Sequence, residues 1–338
     1  MKFNILFIIF FYAIISPVAA QKGQGGQFKF AFYNTENSFD TINDPTINDE
    51  DFLPTSKIPW TSERYWHKLN NIARVVTAID STNLPAVVGF AEVENISVLN
   101  DLTTKTKLKD KGYQCILEEG NDPRGIDVGM IFRKNVLKYI GHSAFPSAQS
   151  FKTRSILYVR LADAKKDTFH IFVNHWKSRT GGASETEPQR LENARTLKHH
   201  TDSLLASNPR AKIIIMGDFN DEPDNKSLND VLGAQKTDKK PTSTGLYNLM
   251  YERFLKGEGT LYYKDWDLFD QFVVTGNLLG KKPGKGAVIM QPYAYIFKPD
   301  WLLYKNKTGE MVPNRTAGSK EYFGGFSDHL PVYIVVNN

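Results

Sequence analysis

The sequence of 338 residues contains a single cysteine, Cys115. An internal disulfide is therefore excluded, and the packing of the core alone must stabilise the fold. The shortage of cysteine also argues against a structural zinc site. Cys115 lies in the apolar run YQCILEE, which favours a buried structural thiol over a nucleophile.

Long apolar runs are missing too, apart from one at the N-terminus. There Lys2 precedes an apolar run over residues 5–15, and small residues follow. This order is typical of a secretory signal peptide over residues 1–20, with cleavage before Gln21. The run is short for a membrane-spanning helix, which needs about 20 residues, although an uncleaved anchor is the alternative. We therefore expect an exported protein, secreted or periplasmic, with no stable membrane anchor after cleavage.

Neither a repeat with a period of about 20–50 residues nor a Pro- or Ser-rich linker divides the chain. We expect a flexible leader over residues 21–26 and one domain over residues 27–338. The net charge of +5 falls to +4 when residues 1–20 are removed, because Lys2 is their only charged residue. This charge is compatible with a polyanionic substrate without requiring one. Nothing indicates an obligate protein partner, and we expect a monomer.

Strands dominate the predicted secondary structure. Apolar patterns predict strands at residues 28–34, 85–90, 127–133, 155–162, 168–174, 211–216, 270–275, 300–304 and 331–336. Helical spacing of apolar residues predicts one helix over residues 61–80 and another over 187–207, with Pro188 in the first turn of the second. The pattern favours an α+β or α/β sandwich with the helices outside.

Several predicted strands end in carboxylates, amides or histidines. These residues are Asn34, Glu36, Glu92, Asn174, His175, Asp218 and Asn220, and Asp328 and His329 stand just before the last strand. Carboxylates avoid apolar surroundings unless something compensates their charge. If the strand ends gather at one edge of a sandwich, a hard divalent cation would compensate it, and Mg²⁺, Mn²⁺ and Ca²⁺ prefer such ligands. Each group alone has a plainer explanation, such as a turn capped by Asp218.

These groups lie in seven motifs: NTEN (34–37), GFAEVEN (89–95), RGIDVGMIFR (124–133), VNHWKSRTGG (173–182), MGDFNDEP (216–223), LFDQFVV (268–274) and GFSDHLPV (325–332). In content and in order, the motifs resemble the endonuclease/exonuclease/phosphatase superfamily, to which deoxyribonuclease I belongs. The resemblance covers nearly all of the mature chain. It implies a four-layer α/β sandwich, in which two packed mixed β-sheets are flanked by helices, and metal-dependent hydrolysis of phosphoester bonds.

The resemblance also implies a metal site and a phosphate site. Glu92 matches the principal metal ligand, Glu36 supports the metal, and Asp328 is a further ligand or lies just behind one. The implied ion is Mg²⁺, with Mn²⁺ or Ca²⁺ as alternatives. Asn34 and Asn174 are implied to contact the phosphate.

Further matched residues are implied to carry out the hydrolysis. Asp218 matches the residue that orients or deprotonates the attacking water, and Asn220 matches the amide that holds a phosphate oxygen. His329 matches the donor that faces the charge developing on phosphorus, and Asp270 matches the carboxylate that orients this histidine. The acidic residues that follow Asn220 are expected to face solvent: Asp221, Glu222 and Asp224.

A second histidine, His175, matches a residue near the leaving group or a phosphate oxygen, and Asp127 is its implied partner. Lys177 and Arg179 follow directly. They are interpreted either as surface charges or as a rim that contacts the phosphates of a nucleic-acid backbone.

Several motifs bear on the class of substrate. VNHWKSR and RLENARTLK resemble secreted bacterial nuclease domains, whereas the GDxNYR-like and CDRIL-like signatures of inositol phosphatases are missing. A nuclease that acts on DNA or RNA is therefore the favoured function. A sphingomyelinase-like enzyme or another small-molecule phosphodiesterase or phosphatase is the alternative, and residues 291–297 (QPYAYIF) are the only candidate for a lipid-binding hairpin. An inactive binding module is disfavoured because every matched catalytic position has an acceptable residue.

Overall fold

The computed structural model describes residues 26–237, 240–281 and 286–338. The predicted signal peptide over residues 1–20 and all but the last residue of the predicted leader lie outside the described residues. Within the three described ranges, no helix has the length and apolarity needed to cross a membrane.

Two large mixed β-sheets form the framework. The strands are β1 (Gln27–Ser38), β2 (Val87–Val93), β3 (Tyr113–Leu117), β4 (Asp127–Arg133), β5 (Lys138–Pro146), β6 (Ser155–Ala162), β7 (Thr168–His175), β8 (Lys212–Asp218), β9 (Ala234–Gln235), β10 (Leu246–Asn248), β11 (Leu261–Tyr262), β12 (Trp266–Asp267), β13 (Asp270–Thr275), β14 (Tyr295–Ile296), β15 (Leu303–Lys305), β16 (Met311–Pro313) and β17 (Val332–Asn337). One sheet has the order β14-β17-β1-β2-β4-β3, and the other has the order β5-β6-β7-β8-β13-β10-β9. Two small antiparallel hairpins, β11-β12 and β15-β16, stand apart from both sheets.

Helices cover the outer faces of the sheets. They are α1 (Ser62–Ile79), α2 (Ile96–Lys105), α3 (Ala183–Ser207) and α4 (Tyr251–Phe254), with 3₁₀ turns at Glu50–Phe52, Gly276–Leu278 and Asp300–Leu302 and a π turn at Ser227–Leu232. Side chains from both sheets, such as Phe30 and Met216, form the central core. A second core joins α1 and α2 to the first sheet, and a third joins α3 to the second sheet. The predicted four-layer α/β sandwich is therefore confirmed.

Most differences from the sequence-based prediction lie at element ends and in short elements. Helix α3 begins at Ala183, so Pro188 lies inside the helix and not in its first turn. The buried side chain of Arg190 stabilises the additional turn, because it donates hydrogen bonds to Thr186 Oγ1 (2.6 Å) and Ala183 O (2.7 Å). Residues 300–304 form a 3₁₀ turn followed by a short strand, and not one strand.

Two of the longer elements, α2 and β5, were not predicted. Helix α2 is short and contains β-branched residues that favour strands, and its start depends on the Asn95 side chain, which accepts hydrogen bonds from Ser97 N and Val98 N. Strand β5 lies at the edge of its sheet and alternates poorly. Cys115 is half-buried on β3, with Sγ 3.3 Å from Leu99 O, and burial raises the pKa of its thiol. Both facts favour a structural thiol.

Candidate active site

The register of the second sheet aligns three of the predicted catalytic residues. His175 on β7 is paired with Asp218 on β8, and Asp218 is paired in turn with Asp270 on β13. Directly paired residues place their side chains on the same face of a sheet, about 4.5–5.5 Å apart. The buried Asn34 side chain approaches from the first sheet and donates a hydrogen bond from Nδ2 to Asp218 Oδ2 (3.0 Å). The two sheets therefore meet at a common polar edge.

Left-handed backbone conformations direct several side chains into this edge. Glu36, Asn37, Glu92 and Asn220 have φ values of 51°, 56°, 62° and 51°. Such conformations cost non-glycine residues on the order of 1–3 kcal/mol and cluster at functional sites. The register of β1 against β2 and of β2 against β4 also shifts here, around Glu92. Bulges of this kind re-aim a side chain next to an active site.

Asp218 lies at the centre of the site and is almost fully buried. Its Oδ2 atom is 3.6 Å from His175 Nε2 and 3.8 Å from His329 Nε2, while its Oδ1 atom accepts a hydrogen bond from Asn220 N (3.0 Å). Burial raises the pKa of Asp218 to about 6, against the opposing effect of His329. A carboxylate with this pKa accepts a proton readily near neutral pH.

His329 is held by a second buried carboxylate. Its Nδ1 atom is 2.7 Å from Asp270 Oδ2, and Asp270 is completely buried. Burial opposes the charge of the imidazolium, but Asp270 and Asp218 outweigh it and raise the pKa of His329 well above its usual value. The two carboxylates therefore favour the imidazolium form of His329, whose Nε2 atom lies on the side of Asp218.

The second histidine has the opposite electrostatic environment. Burial, followed by the positive charges of Arg154, Arg124 and His329, lowers the pKa of His175 well below its usual value. Its Nε2 atom lies 3.9 Å from Glu92 Oε1, and its Nδ1 atom has no hydrogen-bond partner.

The implied pairing of His175 with Asp127 is not formed. Asp127 instead accepts a hydrogen bond from Gly120 N (2.9 Å) at the start of β4. The buried Arg154 side chain pairs with Asp122 (2.8 Å) and donates to Trp176 O (2.5 Å). A partner role for Asp127 is therefore not supported.

Glu36 pairs with an arginine that the sequence did not indicate. Arg315 Nε is 3.0 Å from Glu36 Oε1, and Arg315 Nη2 is 3.2 Å from Asp328 Oδ2. Glu36 also accepts hydrogen bonds from Thr316 N (2.5 Å) and Ala317 N (3.5 Å), so both its oxygens are engaged. The Glu36 carboxylate therefore holds the 315–317 segment, and its implied role as support for a metal stays a prediction. Asp328 shares Arg315 and keeps one oxygen beyond this ion pair.

The remaining hard ligands fit a divalent cation at Glu92. Glu92 Oε1 makes only long contacts, 3.4 Å to Asn34 Nδ2 and 3.9 Å to His175 Nε2. Asp218, Asp270 and His329 also place potential ligand atoms within 4.8 Å of one another. In that cluster, however, the Nδ1 atom of His329 and the Oδ2 atom of Asp270 already satisfy each other at 2.7 Å. Glu92 Oε1 and the Asp328 oxygen beyond the ion pair with Arg315 are therefore the carboxylate atoms that could best bind Mg²⁺ or a similar ion.

The structure places Asn174, Lys177 and Arg179, which were predicted to contact phosphates, in three different surroundings. Asn174 is fully buried, and its amide donates to Phe172 O (3.3 Å) and accepts from Trp176 Nε1 (3.3 Å). Since successive side chains of a strand point to opposite faces, Asn174 does not share the face of His175, and a phosphate contact is not supported. Lys177 is half-buried, and its backbone N–H bonds to Asn193.

Arg179 reaches the site but is already held in place. Its Nε donates to Asn220 O (2.9 Å), and its Nη2 lies 3.2 Å from Asp221 and 2.7 Å from Asn225 Oδ1. Only Nη1 lacks a short contact. The expectation that Asp221 faces solvent is wrong, because α3 brings Arg190 within 2.7 Å of its buried carboxylate.

Glu222, also expected to face solvent, is half-buried and accepts a hydrogen bond from Leu268 N (3.0 Å). Asp224 is exposed as expected.

The chain is similar to a known protein family and to several solved structures. The family model described as the Endonuclease/Exonuclease/phosphatase family matches residues 29–338. No curated protein sequence matches the chain. Similar solved structures include Danio rerio TDP2 complexed with a single-strand DNA product, with 14% identity, a TM-score of 0.54, and 92% of this chain and 99% of that chain covered.

Two further solved structures have comparable similarity. The Bacteroides thetaiotaomicron mannosyl-6-phosphatase has 14% identity and a TM-score of 0.56, with 92% of this chain and 100% of that chain covered. The human Nocturnin catalytic domain with a bound sulfate anion has 15% identity and a TM-score of 0.55, with 92% and 94% covered. At these identities the structural likeness shows the fold alone.

Proposed function

The chain belongs to the endonuclease/exonuclease/phosphatase family of phosphoester hydrolases, and we propose that it is an exported, metal-dependent phosphodiesterase that cleaves nucleic acid. The observation that carries the proposal is the arrangement around Asp218. A buried carboxylate with a pKa of about 6 stands between a cationic histidine, His329, and a neutral one, His175. This arrangement provides a base and a charged donor around one small space.

Each residue has a distinct part in the proposed hydrolysis. Asp218 accepts the proton of the attacking water, and Asn34 orients its Oδ2 atom by a hydrogen bond of 3.0 Å. His329 donates from Nε2 to a phosphoryl oxygen as negative charge develops there, with Asp270 holding its Nδ1. The neutral His175 places Nε2 near the same space. Glu92 would hold a divalent cation, which would supply further positive charge to stabilise the charge that develops during hydrolysis.

Two observations favour nucleic acid as the substrate. A mature net charge of +4 suits a polyanion. A solved relative by fold, TDP2, is described with a single-strand DNA product. A lipid substrate is disfavoured because residues 291–297 form no exposed apolar hairpin. Tyr295 pairs with Tyr333 of β17, and the two rings stack 4.9 Å apart.

A phosphomonoesterase acting on a sugar phosphate is the second candidate, since a mannosyl-6-phosphatase shares the fold. Export depends on residues 1–20 alone. N-terminal sequencing of the protein recovered from the native host would test it, with cleavage before Gln21 expected. A protein that retains residue 1 would contradict export by a cleaved signal.

Hydrolysis of four substrates tests the proposed function directly. The mature protein is incubated with plasmid DNA, RNA, sphingomyelin vesicles and mannose 6-phosphate, each with Mg²⁺ or with excess EDTA. We expect cleavage of DNA or RNA in Mg²⁺ and none in EDTA. Full activity in EDTA would reject the metal, and faster turnover of sphingomyelin or mannose 6-phosphate would reject the nuclease assignment.

Three histidine variants test the assigned roles. His329→Ala and His175→Ala should each lower kcat by about 10²–10⁴-fold, the usual contribution of one acid–base group. His67→Ala is the matched control, because His67 is an exposed residue of α1 whose Nε2 contacts Gly324 O (2.9 Å). It should change kcat little. Equal effects of all three substitutions would show that the roles are wrongly assigned.

A further inference from the structure

A cleft of about 810 Å³ opens beside the catalytic residues, next to the two small hairpins. Asn220 and Asp328 line it at one end. Tyr263 of the β11-β12 turn and Tyr304 of β15 line it as well, and they are 79% and 43% exposed. The volume lies within the range of about 300–1,000 Å³ that is typical of small-molecule sites. Nothing assigned above to the hydrolysis uses these tyrosines.

The hairpin that carries Tyr263 is fixed to the catalytic histidine. Thr260, directly before β11, is fully buried and accepts a hydrogen bond from Asp270 N at its Oγ1 atom (3.2 Å). The Thr260 carbonyl accepts from Leu330 N (2.7 Å), and Leu261 forms a bridge with His329. The hairpin that carries Tyr263 therefore has a defined position relative to His329, and so to the proposed position of the scissile phosphate.

The chemistry of the cleft suits a planar ring that carries one phosphate. Arg179 stacks over Phe269 at 4.6 Å on one wall, and Arg315 stands near the catalytic end. Asp267 and Asp328 balance these two cations within the cleft, so it has no excess charge for several phosphates. Exposed tyrosine rings instead provide flat surfaces, and nucleobases stack on such rings regardless of base identity. The polar groups that share the lining make it a poor acyl-chain site.

We propose that this cleft binds the nucleobase next to the scissile phosphate by stacking on Tyr263 and Tyr304. The inference rests on the proposed phosphodiesterase function and narrows its substrates to esters of nucleotides. Stacking tolerates any base, so the cleft selects for a nucleoside and not for a sequence.

Two esters with the same leaving group test the proposal. Thymidine 5′-(p-nitrophenyl phosphate) carries a base, and methyl p-nitrophenyl phosphate does not. The double variant Tyr263→Ala with Tyr304→Ala should lower kcat/KM for the thymidine ester on the order of 10-fold or more, and should change it much less for the methyl ester. Tyr139→Ala, an exposed tyrosine of β5 that does not line the cleft, is the control. Equal losses on both esters would overturn the proposal.

A binding measurement separates this inference from the proposed function. Titration calorimetry gives the Kd of thymidine 5′-monophosphate and of inorganic phosphate for the wild type and the double variant. We expect the double variant to weaken nucleotide binding and leave phosphate binding unchanged. Unchanged nucleotide binding would overturn the stacking site even if the enzyme cleaves DNA. Weakened nucleotide binding in a protein that cleaves neither ester would support the site and reject the proposed function.

Discussion

Replacing Asp270 with asparagine removes one negative charge from contact with His329 and leaves the side-chain size nearly unchanged. Asp270 Oδ2 is 2.7 Å from His329 Nδ1, and both residues are buried. Two opposite unit charges about 4 Å apart interact by about 4 kcal/mol at an effective dielectric constant of about 20. Since one pKa unit corresponds to about 1.36 kcal/mol, the Asp270→Asn substitution should lower the pKa of His329 by up to about three units.

The kcat of the Asp270→Asn variant should change with the pKa of His329. A neutral His329 is a weaker donor to the developing phosphoryl charge, so kcat at neutral pH should fall by about 10²–10⁴-fold. The alkaline limb of the pH–kcat profile should move to lower pH, because the remaining activity requires the protonated form of His329. The variant should still bind metal, since Asp270 is not among the residues proposed to hold it.

The pH dependence of protein stability tests the same interaction independently of activity. The folded pKa of His329 is raised above its unfolded value of about 6.5. The resulting stabilisation is fully present below that unfolded value and is lost as the pH rises through the folded pKa. The difference in Tm between the wild type and Asp270→Asn should therefore narrow at alkaline pH.

The direct assay is an NMR titration of the His329 imidazole, assigned by comparison with His329→Ala. It is combined with kcat measured across the same pH range on a small chromogenic phosphodiester. An unchanged titration of His329 in Asp270→Asn would refute the electrostatic argument. A lower kcat whose alkaline limb stays in place would show that Asp270 acts by some other means.

Three further predictions concern charges at and near the site. Glu92→Gln should raise the Mg²⁺ concentration needed for half-maximal activity while Tm in EDTA changes little, and an unchanged Mg²⁺ dependence would exclude Glu92 as the ligand. Arg315→Met should lower the free energy of unfolding, measured by urea unfolding, by about 1–3 kcal/mol. Breaking a fully buried pair costs roughly 3–5 kcal/mol, and the loss here should be smaller because the Arg315 side chain is 42% exposed. An unchanged free energy of unfolding would contradict this prediction. Burial raises the pKa of Glu94 from 4.5 to about 8. Between these two pH values the folded protein holds a proton on Glu94 that the unfolded chain releases. The free energy of unfolding therefore falls as the pH rises through this range. Glu94→Gln should therefore gain Tm over the wild type from pH 5 to pH 8, and a constant difference would contradict this.

The local pattern of residues determined the fold and the location of the site. Apolar runs predicted strands such as β7 and β8, and the polar groups directly after them predicted a shared edge. The register then placed His175, Asp218 and Asp270 in one row. These predictions succeeded because strand periodicity and strand ends are properties of short segments, which the sequence displays directly.

Only the tertiary structure decided which charge each group meets. Glu36 and Arg315 are far apart in the chain, and nothing in either segment indicates that they pair. His175 and His329 both lie in motifs of the candidate site. Burial beside cations lowers the pKa of His175, whereas neighbouring carboxylates raise the pKa of His329. Asp221 is buried against Arg190 of α3, Arg179 and Ser227, none of which is its neighbour in the sequence. Protonation and pairing depend on the distance and dielectric between groups, and these quantities exist only once the sheets and helices have packed.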